Sequence, residues 1–310
     1  MTDSVSTYRA LDMLIRTHAP KVTGRVPFWR PVPPPVTPRV LVPVWFWERT
    51  PASGEDPLCV LDANGSYLSA ASSVEVAHGQ LARSGRRQFD RTLPGYWLVD
   101  AHEWGLGHMV VSPIGTSSRG REDGRIWLTT PTVQLLAHLT DEGFWPGIDV
   151  YDSWTSRARC RLRAWAGAVQ TDRVHALDQG DADLYERIKL GYSQAVTMMG
   201  AEGKSLLHRP DWALTIRAQA AASCWRAAWG AWLTGVPPVA MRRVDELVFP
   251  RAAVARWWNA WLAGQPTPVR VDALGRALGT FKVKEVLSRT QWLRPESTPS
   301  PRGVRLEPPR

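Results

Sequence analysis

Apolar and polar positions along this chain fall into blocks of different period. Residues 7 to 17 set Leu11, Leu14 and Ile15 on one side of a short predicted helix. From Pro27 to Pro43 seven prolines remove backbone donors and fix φ, so an extended arm is predicted there. Val40 to Trp47 and Leu58 to Leu61 read as strands. The second strand runs into Asp62-Ala63-Asn64-Gly65, a sequence with strong turn chemistry, so a carboxylate is expected where an apolar strand ends. A loop region is predicted up to about Gly124, then an extended Ile126 to Leu128. Thr130-Pro131 opens a helix that Gly143 closes.

Two helices follow in this reading. The first, from about Thr155 to Leu177, carries an apolar stripe of Leu162, Trp165, Ala166 and Val169 amid Arg157, Arg159, Arg161, Arg163 and Arg173. An Asp-rich turn, Asp178 to Asp183, reverses the chain. The second helix, Leu184 to Met199, buries Ile188, Tyr192, Ala195 and Met199 and leaves Lys189, Ser193 and Val196 on another face. A third begins at Asp211 as its cap and ends near Leu233, before Gly235 and two prolines. Val239 to Val244 and Leu247 to Phe249 then flank Asp245-Glu246 as a tight hairpin, which sets a second carboxylate among apolar strand residues. Arg294 to Arg310, rich in Pro, Ser and Arg, reads as a tail.

Charge adds a partner class. The chain is 310 residues long and carries a formal +9, with Arg supplying all but five of its 38 basic side chains, which points to a polyanion such as DNA. The Arg bias itself also fits a G+C-rich coding sequence. Three cysteines without CxxC spacing support neither a disulfide scaffold nor a cysteine zinc site, and the histidines show no HxxxH or HxH spacing. No stretch approaches the ~20 apolar residues that span a bilayer. A cytoplasmic, nucleoid-associated location without a membrane partner is expected.

The order of these features resembles a known family. Asp62-Ala63-Asn64-Gly65-Ser66-Tyr67 is similar to the first polymerase motif of protein-primed family B DNA polymerases from phages and linear plasmids, matching at Asp62, Asn64 and Tyr67. Lys189 through Val196 resembles a weakened second motif, with Ser193 and Val196 where the family places Asn and Tyr. Arg243-Val244-Asp245 resembles the third motif, ordinarily Asp-Thr-Asp, with Arg243 in place of the first acid. Phe281-Lys282-Val283-Lys284 resembles the lysine-bearing segment that follows. The resemblance implies a catalytic set of Asp62, Asp245 and Lys189, with Asp62 and Asp245 as ligands of Mg or Mn. It implies nucleotide contacts from Asn64, Gly65, Ser66, Tyr67, Lys189 and Ser193, and DNA contacts from Lys282 and Lys284. The Arg-rich helix adds Arg157, Arg161 and Arg163 as candidate phosphate contacts on the strength of charge alone.

Each residue also has a plainer reading. Asp62 fits a surface turn, Asp245 a salt bridge with Arg242 or Arg243, and Lys189 a solvated helix face. Glu246 does not replace the missing acid in this reading, because neighbouring strand residues face opposite sides.

The expected fold class is α+β: a polymerase-like palm with an antiparallel sheet, an inserted two-helix fingers element and a small helical C-terminal part. The expected division is an N-terminal helix and Pro-rich arm at 1–39, palm at 40–154, fingers helices at 155–200, palm again at 201–250, a thumb-like helical segment at 251–293 and a tail at 294–310. The 57 residues ahead of the strand bearing Asp62 are too few for a proofreading exonuclease domain. The expected function is a DNA-binding protein derived from a reduced polymerase core, acting in replication or control of a mobile or linear replicon, with a priming or replication protein as a further partner. An active two-metal nucleotidyltransferase is the alternative. A helix-turn-helix regulator built from Val271 to Leu287 is a second.

Overall fold

Two antiparallel five-stranded sheets organise the chain in the computed structural model, which describes residues 32–115, 121–201 and 208–293. The helix expected over residues 7–17 and the tail from Arg294 lie outside the described residues. The described residues divide into two compact units, one of 32–42, 67–103, 121–201 and 208–220, the other of 43–66, 104–115 and 221–293.

The elements differ from sequence expectation in instructive places. Only Trp45–Glu48 of the first apolar run is a strand, β1, because the prolines upstream leave little of that run able to pair. The next strand, β2, runs Leu58–Ala63 and so takes in Asp62. Gly65 follows at φ 56, a left-handed turn that suits glycine, and a helix begins at once, α1 (Ser66–Ser73). The expected loop before Gly124 holds β3 (Glu75–Ala77), β4 (Ala82–Arg83), β5 (Gly95–Asp100) and β6 (Arg121–Glu122). Next come β7 (Arg125–Thr129), the helix α2 (Thr130–Asp141) opened by its early proline, and β8 (Val150–Thr155).

Arg159–Arg161 forms a strand, β9, and the helix expected from Thr155 starts only at Arg163, as α3 (Arg163–Asp178). The alternation of Arg157, Arg159 and Arg161 is therefore a period of two rather than one face of a helix. Its partner helix is α4 (Ala182–Gly200), capped by the Asp181 side chain, which accepts from Leu184 N at 2.9 Å. Val196, expected on an outer face of α4, is fully buried with Tyr192, Ala195 and Met199.

The long helix α5 (Pro210–Leu233) is not capped by Asp211. That carboxylate lies inside the first turn and accepts two bonds from Arg209, at 3.0 and 2.7 Å. Then come β10 (Ala240–Arg243), β11 (Glu246–Pro250), α6 (Arg251–Leu262), β12 (Phe281–Leu287) and a one-turn helix at Arg289–Trp292. The C-terminal part is thus not purely helical. Val271 to Leu287 forms no helix-turn-helix, because Phe281–Leu287 is extended and hydrogen-bonded to β2.

In the first unit, β4-β8-β5-β7-β6 make the sheet. Tyr96 and Trp127 of that sheet pack with Val40, Ala77 and Leu81. Gly95 is required where β5 meets β8, since a Cβ there would collide with the Trp154 carbonyl. A buried ion pair closes this unit. Arg209 and Asp211 side chains are 3% and 9% exposed, and Arg209 also donates to Ala77 O at 2.6 Å and stacks over Trp212.

In the second unit the order is β1-β10-β11-β2-β12. Leu58, Val60, Val239, Ala240 and Val248 form a core cluster covered by Leu287 and Trp292. Indole donors hold the irregular 104–115 segment: Trp45 bonds Ser112 O, Trp47 bonds Gly107 O, Trp104 bonds Val110 O and Trp225 bonds Val111 O, at 2.7–2.9 Å. A chain segment without a sheet partner needs such donors for its carbonyls. Trp225, Trp229 and Trp232 stack along α5 with centroids 5.2 and 4.6 Å apart, which places these aromatics in packing rather than on a base-stacking surface.

Candidate acid site on the second sheet

Leucine, cysteine and valine carry β2 into the sheet, and Asp62 emerges near its end. Antiparallel pairing sets Glu246 of β11 directly opposite Asp62 on one side and Lys282 of β12 directly opposite on the other. Residues paired in this way share a face, so a carboxylate, a carboxylate and an ammonium lie in one row. The row continues to Arg242 of β10, which is opposite Glu246. Lys282 Nζ is 3.6 Å from Asp62, Lys284 Nζ is 2.8 Å from Glu246, and Arg242 is 3.8 Å from Glu246.

Asp245 sits beside this row, in the turn between β10 and β11. Its carbonyl accepts from Ala63 N at 2.9 Å, which ties the turn to the end of β2, and its carboxylate accepts from Ser66 Oγ at 3.3 Å. Burial pushes the Asp245 carboxyl above the usual range, and the nearby charge of Asp62 pushes it further. The Ser66 hydroxyl opposes that rise, Glu246 adds to it, and Arg243 offsets a little of it. Two acids 183 positions apart in the sequence are thus neighbours that repel. Beneath them, burial first and then Asp245, Asp62 and Glu246 hold the Cys224 thiol well above its usual range, so it remains protonated.

Arg243 lies next to the cluster, where its charge offsets part of the Asp245 shift. It is exposed and adopts φ 57, a left-handed conformation unusual outside glycine. Arg242 is engaged elsewhere as well, 3.1 Å from Glu48 and over the Trp292 ring at 4.6 Å.

Other sequence candidates have different surroundings. Asn64 is 1% exposed, and its Nδ2 donates to Thr280 Oγ1 at 2.9 Å, so this side chain fastens the end of β2 to the segment before β12. Gly65 is buried at the turn, and Tyr67 is the second residue of α1. Lys189 and Ser193 lie on α4, in the first unit, with Lys189 Nζ 3.6 Å from Glu186. Arg161, on β9, pairs with Glu75 at 2.9 Å, while Arg157 and Arg163 are exposed. Sequence reasoning missed Glu246 as a member of the acid row. The signal was present in the tight turn: once Val244 and Asp245 make the bend, Glu246 becomes the first paired residue of β11.

Asp62 and Asp245 supply two mutually repelling carboxylates, which is the chemistry a divalent cation relieves. Among the described residues no three His, Cys, Asp or Glu side chains are grouped to hold a metal ion. A cation held by this pair would have to take its remaining ligands from water or from a bound substrate.

The mixed α+β architecture, with antiparallel sheets and seven helices among the described residues, is that of a polymerase-like fold. Solved structures of Phi29 DNA polymerase share it. The ternary complex with primer-template DNA and incoming nucleotide matches at a TM-score of 0.55 and 9% identity, covering 92% of this chain and 53% of the polymerase. The orthorhombic crystal form matches at 0.57 and 11% identity, with 92% and 52% covered. The complex with single-stranded DNA matches at 0.57 and 12% identity, with 92% and 51% covered. At such identities the likeness is one of fold, and the chain spans about half the length of these polymerases. No protein-family model matches the sequence, and no curated protein matches it. No helix among the described residues is long and apolar enough to cross a membrane.

Proposed function

We propose that this chain is a DNA-binding protein built on a protein-primed family B polymerase core, acting in the cytoplasm on replication or control of a mobile or linear replicon. The observation that carries the proposal is a fold similar to that of Phi29 DNA polymerase over 92% of the chain, with Asp62 near the end of β2 beside the turn that holds Asp245. The formal +9 charge supports a polyanionic partner. In this reading α3 and α4 are a fingers-type pair, Arg157 and Arg163 contact phosphates, and a priming or replication protein is a further partner. The test is DNA affinity, by fluorescence anisotropy, across a salt series for wild type and Asp62→Ala plus Asp245→Ala. Equal affinities that fall steeply with salt support binding independent of the acids, whereas affinity indifferent to salt refutes it.

The acid pair favours a second reading, nucleotidyl transfer. Asp62 and Asp245 would hold Mg or Mn, which when bound polarises a phosphoryl oxygen and favours the attacking hydroxylate. Ser66 orients Asp245 through its hydroxyl, and the Ala63 amide fixes the Asp245 backbone. Gly65, at the turn after β2, borders the nucleotide in this reading. Asn64 acts indirectly, by anchoring the turn that positions Ser66. Extension of a primed template by labelled deoxynucleotides would support transfer, and no incorporation by folded protein with Mg or Mn would remove it.

A further inference from the structure

We propose that Lys282 and Lys284 are resident counter-cations of the acid row, so that a divalent ion occupies the Asp62–Asp245 pair only by displacing an ammonium group. The inference rests on the acid-pair reading above and assigns these lysines a task on the protein itself. The sheet register is what brings them there. β12 pairs with β2 so that Lys282 faces Asp62 across the strands, and Lys284 reaches Glu246 from the same strand. Lys282 stands 3.6 Å from Asp62, and Lys284 closes to 2.8 Å on Glu246, with the Glu246 side chain only 12% exposed. Arg242 adds a third positive charge at 3.8 Å from Glu246.

Without these cations the Asp62 and Glu246 carboxylates, paired across β2 and β11, would face each other uncompensated. With them, the row is close to balanced before any ion arrives. A lysine suits such a role because its compact, strongly hydrated charge rides on a flexible stem and can swing to water. Both pairs retain partial exposure, with side chains 28% and 53% exposed at the two lysines, so exchange with solvent is open. The consequence is weak divalent binding, tuned by β12 rather than by the acids alone.

The test is Mn titration of the full chain, read by the electron paramagnetic resonance signal of the free ion. Wild type, Lys282→Gln plus Lys284→Gln, and that double variant carrying Asp62→Asn and Asp245→Asn are compared. The double variant is expected to bind Mn at least about tenfold tighter than wild type, or about 1.4 kcal/mol, and the fourfold variant to lose that binding. Lys282→Arg plus Lys284→Arg keeps the charge and is expected to bind no tighter than wild type, which tests the idea even if the Gln variant misfolds. Equal Mn affinity in wild type and the Gln variant, abolished by the acid substitutions, overturns this inference and leaves the acid pair standing. Absence of Mn binding in both overturns the acid-pair reading together with it.

Discussion

Replacing Asp245 by Asn should stabilise the folded chain at neutral pH. A structural salt bridge would give the opposite sign, because losing one buried partner strands the other. Among the described residues no ion pair holds Asp245: Arg243 is exposed and relieves its charge least among the named groups, while Arg242 is turned to Glu48 and Glu246. The largest influence is burial, then the like charge of Asp62. Two unit charges about 7 Å apart, with an effective dielectric near 20, repel by about 2 kcal/mol. Lys282 offsets part of this through Asp62, so a net gain of about 1 kcal/mol is expected, or roughly 2–4 °C in Tm.

Asparagine keeps an acceptor for Ser66 Oγ, so the gain should not be masked by a lost bond. Its pH dependence follows from the raised folded value. The folded chain holds the Asp245 proton more tightly than the unfolded chain, so the wild-type penalty is absent below the unfolded carboxylate range. It grows as pH rises through the folded value and is complete above it. Thermal unfolding of wild type and Asp245→Asn at pH 4 and pH 7.5 measures both quantities. A destabilised Asn variant at pH 7.5, or a gain of the same size at both pH values, would refute the electrostatic account.

Three further outcomes follow from the packing. Asn64→Ala removes the bond to Thr280 and should cost about 1–3 kcal/mol in urea unfolding, with faster amide exchange at the end of β2. Asp211→Ala leaves Arg209 charged and buried and should cost about 3–5 kcal/mol, whereas replacing both residues by apolar groups should cost less. Gly95→Ala should destabilise by about 1–3 kcal/mol or more, because the added methyl meets backbone of β8 rather than a movable side chain, and an unchanged Tm would contradict that geometry.

The sequence by itself determined the elements whose signals are local. Leu58 to Leu61 and the β10–β11 hairpin announce themselves through apolar runs broken by turn residues, α4 through its period of burial, and α5 through its stop at Gly235. The same local reading stopped at Asp62, missed α1 because Ser66–Ser73 offers only a weak apolar stripe, and missed β5 because residues around it look like loop. It joined Arg157 to Arg161 onto a helix, although Glu75, 86 residues from Arg161, is what draws β9 into a strand pair with β3.

Tertiary structure alone decided who faces whom. Asp62 and Asp245 could be named from motif order, but their repulsion and the rise of Glu246 into the same row as Asp62 depend on sheet register. So does the identity of the counter-charges, since nothing near Asp62 in the chain predicts that Lys282 will lie opposite it. The physical reason is that side-chain periodicity is written into neighbouring residues, whereas pairing between strands is a choice among distant partners. A shift of one position in that choice would carry every side chain to the other face.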